Sequence, residues 1–335
     1  MNSVVRSVDV GFGDVKFVVS SNTGQPLGCR SFPSLVAHPA PQDLSGGSIA
    51  ARDTVVVHVN GIPYETGPDV ELSIGTHSAR ILHKDFTAQR EYLALLRAAL
   101  HYMATPTIDL LVVGLPVSLM STKATFLKNK LEGLHPTVGG ETVYVDKVLV
   151  LAQPIGGLID FALTHGDYSQ LRSATNLVID PGFFTIDWVL SRGIQPIPAR
   201  CGSFPGGMHA VLRRFAQVLS KTYQIDLDDY TVLDRGLRTG TLRVFGEELA
   251  LADYLPAIWP VIDEAVNVLV NSVGDGRDVD NIVLVGGGAP FFRSAIERRF
   301  PSHRVHIVAD AAFANVRGFQ RAGEEMLRRN RIAVA

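Results

Sequence analysis

The stretch Asp9-Val10-Gly11-Phe12-Gly13-Asp14-Val15-Lys16-Phe17-Val18 returns in outline half a chain later as Asp180-Pro181-Gly182-Phe183-Phe184-Thr185-Ile186-Asp187-Trp188-Val189. Laid over one another, the two share Asp, Gly and Phe, followed by an aliphatic residue, an aromatic residue and a valine. Apolar runs precede both copies, Ser3–Val8 before the first and Asn176–Ile179 before the second. Each copy therefore reads as strand, Asp-x-Gly turn, strand. Two such turns predict two related half-molecules that face one ligand.

Working outward, the first forty residues read as strands over Val4–Val10, Val15–Ser20 and Leu27–Phe32. The Pro-, Gly- and Ser-rich segment Pro33–Ser48 reads as a loop. Val55–Val59 and Ile62–Glu65 flank Asn60-Gly61, the signature of a hairpin with a type I′ turn. Apolar spacing predicts a helix within Thr87–Met103, and Asp109–Gly114 has the continuous apolar character of a buried strand. A helix over Thr122–Leu131 and a strand over Thr142–Leu151 follow.

The second half predicts a helix over Ile155–Leu163, the second turn with its strands, a third strand over Gly193–Ala199, and a Gly-rich loop at Gly202–Gly207 that opens a helix over Met208–Lys221. A long helix over Leu255–Val273, a buried strand over Asp280–Val285 and helices over Phe291–Phe300 and Ala311–Arg329 complete it. Strands alternating with helices indicate an α/β class.

With 335 residues, 46% hydrophobic and 19% charged, the chain has the length and apolar content for two domains with large cores. Its 31 basic and 33 acidic residues leave no electrostatic footprint for direct nucleic-acid binding. Arg328, Arg329 and Arg331 fit a helix C-terminus. Cys29 and Cys201 can form neither a four-ligand metal site nor a disulfide framework. The longest apolar run, Leu110–Met120, is interrupted by Gly114 and Pro116 and is too short to span a bilayer. With no early apolar run to serve as a signal peptide, these features predict a soluble, cytoplasmic protein.

Glycine allows close backbone approach to an anion, and successive amides in a tight turn form an anion nest. Gly11, Phe12 and Gly13 are thus candidate phosphate ligands, with Lys16 as a nearby cation. Asp9 is placed at a strand end, where it can order water around Mg²⁺. In the second copy Gly182 and Phe183 repeat the turn, Asp180 mirrors Asp9, and Thr185 offers a hydroxyl to a phosphate. Either turn alone also fits a tight hairpin with a turn-forming Asp; duplication favours the binding reading. Asp187 is open between a functional role and a solvent-facing position. Gly286-Gly287-Gly288 follows a buried strand and precedes a helix, in the manner of a nucleotide-contacting loop. Gln153, read alone, is a polar residue at a helix start.

In this order, these elements resemble the ATPase superfamily of actin, the heat-shock 70 chaperones and the sugar kinases. The chain looks most like bacterial actin-like proteins of the ParM/StbA plasmid-segregation type. The run Val178–Trp188 is similar to the branch called PRTRC system protein D.

The resemblance implies an actin-like fold of two related domains with a nucleotide cleft between them. Domain I would span 1–151, with an inserted subdomain at about 34–85, and be completed by a C-terminal helix at 311–335. Domain II would span 152–310, with an inserted subdomain at about 200–275. ATP and Mg²⁺ are the implied cofactors, Asp9 and Asp180 holding the metal through water. Gln153 would position the attacking water with help from Asp180. Gly286, Gly287 and Gly288 would contact the adenosine, and Asn315 and Gly318 would lie at a closely packed hinge helix.

The implied partners are further copies of the chain in a filament and a DNA-binding adaptor, with no direct nucleic-acid or membrane contact. Phe12 and Phe184 replace residues that often carry a hydroxyl, which shifts phosphate binding onto backbone amides. The alternatives are a small-molecule kinase of the same superfamily and a nucleotide-gated scaffold with little hydrolysis.

Overall fold

The computed structural model describes residues 3–334 apart from 23–24, 40–51, 75–79, 81, 84 and 165–167. Much of the expected Pro33–Ser48 loop therefore lies outside the described residues.

Alternating apolar residues form strands β1 (Val5–Val10) and β2 (Asp14–Ser20), which pair antiparallel across the first turn with Asp9 opposite Lys16. Strand β3 (Gly28–Pro33) extends the pair. The hairpin β4 (Val55–Val59) and β5 (Ile62–Thr66) turns on Asn60 and Gly61, at φ 53° and 78°, the positive values a type I′ turn requires. Helix α1 (Arg90–Tyr102), strand β6 (Thr107–Leu115), helix α2 (Met120–Leu131) and strands β7 (Gly133–Pro136) and β8 (Thr142–Ala152) follow. They complete a six-stranded sheet in the order β3-β2-β1-β6-β8-β7, parallel through β1, β6 and β8.

Helices α3 (Gln153–Thr164) and α4 (Tyr168–Ser173) lead to the second sheet. Strands β9 (Thr175–Pro181) and β10 (Ile186–Arg192) pair antiparallel across the second turn, and β11 (Gln195–Pro196) and β12 (Gly202–Phe204) both pair with β10. Helices α5 (Met208–Tyr223) and α6 (Tyr230–Thr239), the hairpin β13 (Thr241–Val244) and β14 (Glu247–Ala250), and helix α7 (Trp259–Val273) come next. Strand β15 (Asn281–Leu284), helix α8 (Ala289–Arg299), strand β16 (Val305–Ile307) and helix α9 (Ala314–Val334) end the chain. The order β11-β10-β9-β15-β16, parallel through β9, β15 and β16, repeats the plan of the first sheet.

Each sheet is covered on both faces. Val8, Val10 and Val113 face Leu95, Leu96 and Ala99 of α1, while Val5, Leu110 and Val112 on the opposite face meet Phe319 of α9. Leu177, Ile179 and Ile282 pack with residues of α5, α7 and α8, while Val178 and Val283 meet Leu158 and Phe161 of α3. The two connecting helices thus exchange sides: α3 leaves the first sheet to pack on the second, and α9 leaves the second to pack on the first. They cross where a Cβ on Gly318 would lie 1.8 Å from the Gly156 carbonyl oxygen and one on Gly156 would lie 2.4 Å from the Asn315 carbonyl oxygen. Only glycine allows that approach.

Three local expectations change. The strand expected over Gly193–Ala199 is reduced to Gln195–Pro196, because Pro196 and Pro198 lack the amide a longer ladder needs. Part of the expected loop at Gly202–Gly207 is instead a strand paired with Ile186–Trp188. The helix expected from Leu255 begins at Trp259, with a 3₁₀ segment Ala252–Ala257 containing Pro256 before it. Helix α6 and the β13–β14 hairpin are additions to the elements expected from the sequence.

Candidate functional site

The two Asp-x-Gly turns meet at the centre of a cleft between the sheets. In the first, the Gly11 amide donates to the Asp14 carbonyl at 3.2 Å; in the second, Gly182 donates to Thr185 at 2.8 Å. The Gly11 and Gly182 amides, expected as phosphate ligands, are thus used to close the turns. Among the described residues no protein group accepts from the amides of Phe12, Gly13, Phe183 and Phe184. These form two opposed sets of donors of the kind that hold anions. The turns touch: the Phe12 and Phe184 rings lie 4.9 Å apart, and a Cβ on Gly13 would sit 2.8 Å from that of Phe183.

Asp9 and Asp180 end β1 and β9, and both are buried, at 5% and 6% exposure. Each is held by a side-chain amide from the start of a connecting helix. Gln153 Nε2, on α3, donates to Asp9 Oδ1 at 2.8 Å, and Asn315 Nδ2, on α9, donates to Asp180 Oδ2 at 2.6 Å. Lys16 opposes Asp9 across its hairpin, whereas the corresponding position opposite Asp180 is Asp187. Burial raises the pKa of Asp9, against the pull of Lys16 and the Gln153 hydrogen bond. Burial also pushes Asp180 up to about 7, the charges of Asp187 and Asp9 adding to it and the Asn315 bond opposing it.

Asp187 does not face solvent; it is 2% exposed. It accepts from Thr185 Oγ1 at 2.5 Å, from the Ser203 hydroxyl and from the Val117 amide at 2.8 Å. Val117 follows β6, so this carboxylate ties the second sheet to the first. The Thr185 bond corrects an expectation: its single hydroxyl hydrogen goes to Asp187 rather than into the cleft, so Thr185 orients a carboxylate.

Gly286, Gly287 and Gly288 wall the cleft from the second sheet. Gly286 has φ +80°, and a Cβ there would fall 2.0 Å from Asp180 Oδ1, so glycine is required on two counts. The Gly288 amide donates to the Pro181 carbonyl at 2.9 Å, locking this loop to the second turn.

All the expected site residues line one cleft of about 1070 Å³, including its open mouth: Asp9, Gly11, Phe12, Gly13, Lys16 and Gln153 from the first half; Asp180, Gly182, Phe183, Thr185 and the three glycines from the second. The structure adds Arg80, Asp234 and Arg238. Arg80 donates to the Gly13 carbonyl and lies 4.8 Å above the Phe183 ring. Arg238 donates to the Gly287 carbonyl at 3.0 Å and pairs with Asp234 at 2.8 Å. Asp234 and Arg238 lie on α6, a helix that the sequence pattern above does not predict. The signal was present in Asp229, whose carboxylate caps Thr231 and Val232, and in Gly240, left-handed at the C-terminus.

The donor set suits Mg-ATP: opposed amides for phosphates, a lysine, and two buried carboxylates whose mutual repulsion a hydrated cation relieves. Among the described residues no three His, Cys, Asp or Glu converge as direct metal ligands.

A family model described as the N-terminal domain of actin-like proteins matches residues 7–156, and one for the C-terminal domain of the archaeal actin homologue, MreB-like, matches residues 178–298. The chain belongs to the actin-like proteins. A ParM subunit from a 15-stranded filament of Clostridium botulinum superposes with a TM-score of 0.78 at 18% identity, over 97% of this chain and 100% of that one. An archaeal actin homologue in complex with ADP gives 0.76 at 17% identity, over 96% and 99%. The actin-like protein Alp7A gives 0.74 at 16% identity, over 99% of each. No curated protein matches this actin-like chain by sequence. No helix among its described residues is long and apolar enough to cross a membrane.

Proposed function

We propose that this actin-like protein is an Mg-ATPase that polymerises in a nucleotide-dependent way and moves or holds plasmid DNA through an adaptor. One observation carries the ATPase reading: two mirrored turns present open amides to one cleft, each beside a buried aspartate held by an amide from a connecting helix. The Phe12, Gly13, Phe183 and Phe184 amides and Lys16 bind the phosphates. The Gly286–Gly288 loop, with Arg238 on the Gly287 carbonyl, faces the nucleoside. Magnesium, held through water by Asp9 and Asp180, supplies charge neutralisation for the phosphates. Gln153 and Asp180 orient water for in-line attack, so the protein contributes mainly positioning and electrostatics.

Polymerisation is supported by the likeness to a ParM chain solved as a filament. An adaptor to DNA fits a formal net charge of −2, which carries no overall basic excess for direct binding.

Sedimentation with and without ATP, together with phosphate release in the absence of any acceptor and electron microscopy of the pellet, tests this reading. Pelleting and release that both require ATP are expected. ADP formation that requires an added sugar or carboxylic acid, with the phosphoryl group on that acceptor and none released as phosphate, would replace the proposal with a kinase. The contact between the Phe12 and Phe184 rings favours one other reading, a scaffold that binds ATP and barely hydrolyses it. Tight binding without turnover would establish that instead.

A further inference from the structure

On the first-sheet side of the cleft, two hydroxyl groups are buried without a partner. Tyr92, in the first turn of α1, is 1% exposed, and Thr87, in the 3₁₀ turn before it, is 4% exposed. Neither the Tyr92 phenol nor the Thr87 hydroxyl has a hydrogen-bond partner among the described residues. A buried hydroxyl left unpaired is destabilising and rare in native proteins.

Both residues nonetheless line the cleft beside Phe12 and Leu119. They are held there firmly. The Phe86 ring packs edge-on to Tyr92 at 5.4 Å and stacks on Phe12 at 5.1 Å. Lys130 Nζ donates to the Thr87 carbonyl at 2.8 Å. Burial and the nearby Asp9 charge push the Tyr92 pKa up, so the phenol stays a hydrogen-bond donor. The core needs neither hydroxyl: phenylalanine and valine fill the same volumes.

We infer that Tyr92 and Thr87 are positioning residues whose hydroxyls hold the water around the terminal phosphate on the Asp9 side of the cleft. Asp9, whose charge acts on the Tyr92 phenol, lines the same cleft and adds a further polar partner for such water. The phenol and the threonine hydroxyl restrict its orientation, and they take no proton. The inference rests on the ATPase reading and deepens it.

The test uses Tyr92→Phe and Thr87→Val in the full chain, each of which removes a hydroxyl and keeps the shape. Nucleotide affinity is measured by titration with a fluorescent ATP analogue, hydrolysis by single-turnover phosphate release, and folding by the melting temperature without nucleotide. The expected result is affinity within about twofold of wild type, a hydrolysis rate lowered about 10- to 100-fold, and a melting temperature unchanged or raised. Thr87→Ser, which restores a hydroxyl, should recover most of the rate. Wild-type rates in both isosteric variants overturn the inference, as does a loss of affinity or melting temperature that accounts for the lost rate. If wild-type protein itself shows no turnover, the ATPase reading falls and this inference with it; turnover in wild type with unaffected variants sinks this inference alone.

Discussion

Lys16 and Asp187 occupy equivalent places in the two hairpins and carry opposite charge. Asp9 therefore faces a cation across its ladder, while Asp180 faces a second buried carboxylate. Burial pushes Asp180 up to about 7, and the Asp187 charge adds to that push. A carboxyl whose folded pKa is raised contributes its full stability below its unfolded pKa and loses it as pH rises through the folded one. The window here runs from about pH 4 to about pH 7. Asp180→Asn keeps an acceptor for Asn315 and cannot ionise. Its melting temperature without nucleotide or metal should match wild type near pH 4 and exceed it increasingly towards pH 8. A difference that does not change with pH would show that Asp180 is not held neutral. For catalysis, Asp180→Ala should retain measurable ATP binding and lower turnover by about 10² or more, the scale of lost positioning; near-normal phosphate release would remove Asp180 from the mechanism.

At the scale of elements, the crossing of α3 and α9 governs where Gln153 and Asn315 stand. Both amides belong to first turns of these helices, and the helices touch through Gly156 and Gly318. Gly318→Ala places a methyl against the Gly156 carbonyl and forces the helices apart. A loss of about 1–3 kcal/mol is expected, as for overpacking in a tight core, measurable by urea denaturation. Unchanged stability would mean that the crossing yields freely. The strands and most helices were legible in the sequence because their apolar periodicity and turn residues are local signals. Helix α6 was not, and with it went Asp234 and Arg238: its Asp229 cap and Gly240 stop were there, but they flank a short, polar segment. The Gly193–Ala199 strand failed for the opposite reason, since β-prone residues surround prolines that cannot complete a ladder.

At the scale of the whole molecule, two sheets with one plan are joined by two crossing helices and face each other across a cleft. Among the described residues, contacts across its mouth are slight. Arg80 reaches Thr231 Oγ1 at 3.5 Å, and Arg235 approaches Glu71 at 3.9 Å with 70% of its side chain exposed, an ion pair of the kind that contributes little. Deeper in, Asp187 and Ser203 accept the Val117 and Ser118 amides. A ligand held by both turns adds to these contacts. Mg-ADP at a hundred times its dissociation constant should stabilise the fold by about 2.7 kcal/mol, read as a rise in melting temperature. Gly286→Ala, which puts a methyl onto Asp180, should show no such increment. An equal increment in both proteins would place the nucleotide elsewhere.

The sequence by itself determined the two Asp-x-Gly turns, their flanking strands and the glycine loop at Gly286–Gly288, because turn dihedrals and strand alternation depend on neighbours a few residues away. Only the tertiary structure decided that the turns face each other, that the Thr185 hydrogen is used by Asp187, and that Gln153 and Asn315 each hold one of the two buried aspartates. Those arrangements join residues more than a hundred positions apart in the chain, except for Thr185 and Asp187, where burial by β12 and the Val117 turn selects the acceptor. Packing of one sheet against the helices of the other sets such distances, and no local pattern encodes it.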